Sequence, residues 1–294
     1  MNSGEETRRP VRTTALPGVA ARSVQMMRRR VMVAAAASVV LVGGCADDDS
    51  GTAVTTTTTP AAPTLVIQVS TSAIGGPGGP VAEDLPELTA YDDGRVVFWG
   101  DFGFDGQVPR MFEATVPRSE LDTLLSEARD AGLLDDPPPD TGEGGFEALP
   151  TEVILSDGGA TQTLVVTGLD RDDAPALTAE QRAARDAIRR LRDQLLALAE
   201  GAASAYTPVE LAAYAARREP GARGVTPWPA DRPLSEGEEV EGIHERCLLL
   251  TGEAASAVLE IASEADSDRW SSGGENWIVF LRPLLPHEHT CPSR

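Results

Sequence analysis

Two pairs of short strand-like segments set the terms for the fold. Leu88–Tyr91 and Arg95–Trp99 flank Asp92-Asp93-Gly94, and Thr151–Leu155 and Gln162–Thr167 flank Asp157-Gly158-Gly159. Asp-Gly and Gly-Gly supply the positive φ that a tight turn demands, so each pair predicts a β-hairpin. A chain holding both hairpins must build part of its core on antiparallel strands. Further strands are expected at Leu65–Val69, Met111–Val116, Cys247–Leu250 and Trp277–Leu281.

Helical signals stand between these runs. Pro117 opens a helix with Leu121, Leu124, Leu125 and Ala128 on one face. Gly132 ends it, and Leu133 folds back as a cap contact. Thr178 and Gln181 form a capping box before a helix whose apolar face is Ala184, Ile188, Leu191, Leu195 and Leu198. Its other face, with Arg182, Arg185, Arg189 and Arg192, reads as solvated. Thr207-Pro208-Val209-Glu210 predicts a short helix through Leu211 and Tyr214. Thr251 caps another with Ala255, Val258, Leu259 and Ala262. The fold class expected is α+β: an antiparallel or mixed sheet with hairpins and three to four helices. Strand–helix–loop–strand occurs at 111–155 and again at 247–281, the pattern a duplication would leave.

The charge is divided along the chain. Of 25 basic residues, all Arg, seven lie within residues 1–44 beside only two acids. The rest of the chain carries the acidity behind a net charge of −21, which argues against a nucleic-acid surface. Met26-Met27-Arg28-Arg29-Arg30 precedes Val31–Val42, an uncharged, mostly apolar run. A membrane-spanning helix needs about 20 apolar residues, so this run is too short to span. It has instead the basic and apolar regions of an export signal, of the general secretory kind rather than the twin-arginine kind. Residues 1–25 are long for such a basic region, and a start at Met26 or Met27 would remove them.

The run ends in Leu41-Val42-Gly43-Gly44-Cys45, which resembles the lipobox of bacterial lipoproteins. The resemblance implies cleavage before Cys45 and diacylation of its thiol, making residues 1–44 a signal peptide. The partner so implied is the membrane, through the lipid on Cys45, on its extracytoplasmic face. Each buried lipid CH₂ contributes about 0.8 kcal/mol, so two or three acyl chains give a lasting anchor. Asp47-Asp48-Asp49, Thr55–Thr59 and Pro60-Ala61-Ala62-Pro63 then read as a solvated tether over 45–64. The folded region is 65–294, as one domain or as halves 65–200 and 201–294.

Cys247 and Cys291 are the thiols besides Cys45. Outside the membrane two such cysteines normally pair. The rival is a zinc site, because His244, His287 and His289 lie near them in sequence, although neither spacing matches a zinc signature. No cofactor is expected on the disulfide reading.

Catalytic motifs are few. G-x-S-x-G and H-E-x-x-H are absent, and S-x-x-K cannot occur without Lys. Asp101-Phe102-Gly103-Phe104-Asp105-Gly106 lacks the acids of a calcium loop and reads as a turn with two aromatics. Carboxylates abound, so a hydrolase working through acids is the enzymatic alternative, but adjacency alone does not identify one. Among Trp99, Trp228, Trp270 and Trp277, Trp277 is expected in the core. Trp228, between two prolines, is the one expected at the surface, where it would suit a protein or glycan partner.

The folded region is similar to uncharacterised secreted or lipid-anchored proteins of high-GC Gram-positive bacteria. The likeness rests on Tyr91-Asp92-Asp93-Gly94-Arg95-Val96, Ala131-Gly132-Leu133-Leu134, Ser271-Ser272-Gly273-Gly274 and Arg282-Pro283-Leu284-Leu285-Pro286 before Cys291. It implies no activity. It implies an envelope location and favours the disulfide over the metal. The expectation is a non-enzymatic, lipid-anchored envelope protein whose acidic domain binds or scaffolds.

Overall fold

The computed structural model of the chain describes residues 62–71, 85–143, 148–171, 177–218, 224–241 and 245–292. The first sheet comprises β1 (Leu65–Thr71), β2 (Leu88–Tyr91), β3 (Arg95–Asp105), β4 (Val108–Thr115), β5 (Pro150–Asp157), β6 (Ala160–Thr167) and β7 (Ser204–Ala205). Their spatial order is β6-β5-β1-β2-β3-β4-β7, antiparallel throughout. The second comprises β8 (Glu210–Arg218), β9 (Thr226–Pro227), β10 (Glu238–Glu239), β11 (Arg246–Thr251), β12 (Arg269–Ser272) and β13 (Glu275–Pro283). Its order is β10-β11-β8-β13-β12-β9, antiparallel except for the short β9–β12 pairing. Three α-helices complete the described residues: α1 (Arg118–Asp130), α2 (Ala179–Glu200) and α3 (Gly252–Glu264). Both sheets belong to one compact unit, Thr58–Arg294.

Both predicted hairpins form. β5 and β6 close through Gly158 and Gly159, at φ 58° and 94°, which only glycine adopts without strain. Val66 and Ile67 are both buried, although neighbours on a strand normally face opposite ways, because a bulge shifts the β1 register there. α1 and α2 cover the inner face of the first sheet. Leu121, Leu125, Ile188 and Leu195 pack there with Ile67, Val69, Val96 and Val153. Each such side chain contributes about 1.5–3 kcal/mol when fully buried. α1 ends as predicted: Gly132 at φ 76° donates to the Arg129 carbonyl and Leu133 to that of Ala128, with Leu133 buried. Pro117 stands at the N-cap rather than inside the first turn. The Thr178–Gln181 capping box is reciprocal, 3.2 Å from the Gln181 amide to Thr178 Oγ1 and 2.8 Å from the Thr178 amide to Gln181 Oε1. Thr251 is the N-cap of α3, but its hydroxyl makes no capping bond.

Several expectations fail. Residues 210–218 are not a helix but β8, paired with β11 on one side and β13 on the other. Leu211, Ala213 and Ala215 pack towards α3, while Ala212 and Tyr214 face the opposite cluster. Burial on both faces overrides the helical preference of alanine, and small side chains let α3 approach the sheet. Asp101–Asp105 continue β3 past an irregularity, leaving the turn to Gly106 and Gln107. Arg185 is 1% exposed rather than solvated, and Leu198 is exposed rather than packed. The two strand–helix–strand segments differ in topology. Between β4 and β5 lie three strands of the first sheet, but between β11 and β13 lies only β8.

Candidate functional site

Beyond β13 the chain reads Leu284-Leu285-Pro286-His287-Glu288-His289-Thr290-Cys291-Pro292. Pro283 and Pro286 lack backbone N–H groups, which stops the strand and favours a turn. The turn forms: the Glu288 amide donates to the Leu285 carbonyl at 2.8 Å. The Glu288 carboxylate accepts from the Leu285 amide at 2.8 Å and from both terminal nitrogens of Arg282, at 2.9 and 2.8 Å. Arg282 is 2% exposed, so this bidentate geometry offsets the desolvation of a buried charge.

The segment lies as a strap against both sheets. Leu285 is buried on the outer face of the first sheet among Leu85, Tyr91, Val97, Trp99 and Met111, with Tyr206 alongside. Leu284 packs with Ala212, Tyr214 and Cys247 of the second sheet. The chain has three tyrosines, and each places its hydroxyl on the strap. Tyr206 donates to the Leu284 carbonyl at 2.7 Å, and Tyr214 to that of Pro292 at 2.9 Å. The Tyr91 hydroxyl lies 2.8 Å from His287 Nδ1. Burial raises the pKa of both Tyr91 and Tyr206 far above the ordinary phenol value of 10, so both stay neutral donors.

The predicted disulfide is present. Cys247 on β11 bonds Cys291 in the strap across a Cα–Cα distance of 6.1 Å. The two sulfurs are therefore not thiolate ligands for zinc. His287 is engaged by Tyr91, and His289 Nδ1 lies 3.2 Å from a carboxylate oxygen of Glu210. His244 lies outside the described residues. Among the described residues no group of His, Cys, Asp and Glu is arranged to hold a metal ion. Cys45, Asp47–Asp49 and Thr55–Thr59 also lie outside them, and no described helix is long and apolar enough to cross a membrane.

The expected exposed aromatic is not there. Trp228 is half-buried, its ring edge-on to the fully buried Trp270 at 5.3 Å, and its indole N–H donates to the Arg232 carbonyl. Trp99 and Trp277 are buried as well. These rings pack the core and form no platform.

The carboxylate reading narrows to one cluster. Arg192 on α2 holds Asp170 bidentately, both bonds at 2.8 Å, touches Asp193 at 3.0 Å and lies 4.0 Å from Glu87. Burial pushes the Glu87 pKa above its ordinary value, against the attraction of Arg192, while the Arg192 hydrogen bonds pull Asp170 down. The cluster is an ion network along α2. A groove of 270 Å³ lies elsewhere, between Leu124 and Ala128 of α1 and Ala187 and Leu191 of α2. Another of 390 Å³ lies between Asp93, Arg95, Glu113 and Ser204.

The sequence singled out Cys247, Cys291 and the histidines but missed Tyr91, Tyr206, Tyr214, Arg282 and Glu288. Only the scarcity of tyrosine hinted at them. No protein-family model matches the chain, and neither a curated protein nor a solved structure is significantly similar to it.

Proposed function

We propose that the chain is a lipid-anchored cell-envelope protein, attached through Cys45, whose disulfide-closed domain binds or scaffolds rather than catalyses. The observation that carries this reading is the order of Arg28–Arg30, an apolar run too short to span, two glycines and Cys45. The Cys247–Cys291 bridge supports it, since disulfides persist in oxidising compartments. The groups that metal chemistry would need support it too. Cys247, Cys291 and two of the three histidines are spent on internal bonds. The partner is an envelope protein or glycan reached over the Thr- and Pro-rich tether.

The test is Cys45→Ser in the native host, with intact mass and membrane fractionation as readouts. The expected result is an unprocessed or released protein lacking the acyl mass. Normal processing with undiminished membrane attachment would overturn the reading.

A further inference from the structure

The strap is held at both ends, by the continuous chain from β13 and by Cys291, while its middle rests on an apolar face of the other sheet. Its two histidines meet opposite surroundings. His289 Nδ1 lies beside the carboxylate of Glu210, whereas His287 Nδ1 faces a neutral phenol that is itself 0% exposed. We propose that the strap is an acid-sensitive latch: protonation of His287 lifts residues 285–288 from the outer face of the first sheet, while the Cys247–Cys291 bridge keeps the far end attached.

The geometry supplies the mechanism. A neutral His287 with a lone pair on Nδ1 accepts the Tyr91 hydroxyl proton across 2.8 Å. Once protonated, Nδ1 is a donor, and the phenol must turn its own proton to another acceptor in a fully buried place. The groups facing the imidazole are Tyr91 from β2, Arg282 from β13, and Glu288 and His289 on the strap. Tyr206 stands beside Tyr91. Burial holds the His287 pKa below 6.5. Glu288 opposes this, and Arg282 and His289 reinforce it. Glu288 is the one counter-charge among them, and both its oxygens are already bonded to Arg282.

The sign follows from linkage. The lifted strap exposes His287, which then takes its proton at the ordinary 6.5, whereas the seated strap takes it only at lower pH. Above 6.5 both forms are neutral there and the latch is closed. As pH falls below that value the lifted form binds the proton first, and the preference for closure weakens until the seated form is protonated too. Lifting uncovers Tyr91, Val97, Trp99 and Met111.

Hydrogen exchange on the full chain, with its disulfide intact and corrected for intrinsic rates, tests this between about pH 7.5 and about pH 5. Exchange in 285–288 should quicken several-fold at the lower pH and leave β11 unchanged. His287→Gln, which keeps a neutral polar side chain, should abolish that response. Equal protection at both pH values, or a response that survives in His287→Gln, overturns the proposal. Should that variant fold poorly, the His287 ring resonance in the unaltered protein decides. A titration midpoint below 6.5 that coincides with strap opening supports the latch, and one that does not coincide overturns it. None of these outcomes depends on whether Cys45 carries a lipid.

Discussion

Nε of Arg185 donates to the carbonyl oxygen of Thr141 across 2.7 Å, joining the middle of the sequence to α2 inside the core. The same guanidinium reaches the carbonyls of Gly168 at 2.9 Å, Thr167 at 2.8 Å and Gly142 at 3.3 Å. A buried cation thus ties a loop, a strand end and a helix together through backbone oxygens. Arg185→Met would leave those oxygens unpaired and is expected to lose about 3 kcal/mol or more in urea denaturation. Arg185→Lys should recover little, because an ammonium cannot span the same fork of acceptors. Arg182→Met, on the exposed side of the helix, should stay within about 0.5 kcal/mol.

The bridge and the tyrosines hold the strap by different means. Cys247 and Cys291 are 44 residues apart, and the chain-entropy model gives such a loop about 4 kcal/mol. A double Cys247→Ala, Cys291→Ala protein should lose stability of that order in denaturant. The hydrogen bonds of Tyr206 and Tyr214 remain, so the tail should still resist proteolysis at neutral pH. Adding Tyr206→Phe and Tyr214→Phe should then release it, at about 1 kcal/mol for each hydrogen bond removed. Prompt cleavage of the tail in the bridge-less protein alone would contradict this division of labour.

Glu87 gives a pH dependence with a definite sign. Burial raises its folded pKa above the ordinary 4.5, more than Arg192 lowers it, so ionising Glu87 costs more in the folded state than in the unfolded chain. The unfolded chain loses its proton first as pH rises, and stability falls between 4.5 and the folded value. Glu87→Gln is therefore expected to raise the denaturation midpoint at neutral pH, with the gain disappearing below the unfolded value. Arg192 keeps Asp170 and Asp193 as partners in the variant. A lower midpoint at neutral pH would mean that the Arg192 contact outweighs desolvation.

What the sequence disclosed was local. The hairpins at Gly94 and Gly158-Gly159, the turn after α1 and the capping box at Thr178 each depend on residues a few positions apart. The strap was legible only in its cysteines, whose compartment argued for pairing. Its tyrosine contacts join residues 78 and 196 positions apart, and no periodicity encodes them. Arg185 was misplaced because charge was read as exposure, although Ala184 and Ile188 put it at the border of the buried stripe.

β8 carries the remaining test. Its Thr-Pro-x-Glu start and alanine-rich run are locally helical, yet it is the strand from which β11 and β13 both hang. Ala213 is 0% exposed and lies between Leu248 of β11 and Leu281 of β13, in the layer packed with Val258 and Ala262 of α3. If small side chains are what let the helix sit close to the sheet, Ala213→Leu should overpack that layer and lose about 1–3 kcal/mol. The same exchange at the exposed Ala183 of α2 should be nearly neutral, because leucine is almost as good a helix former as alanine. Denaturation of the two variants side by side decides the matter. An Ala213→Leu protein as stable as the parent would show that the layer has room, and that the alanines of β8 are not there to seat α3.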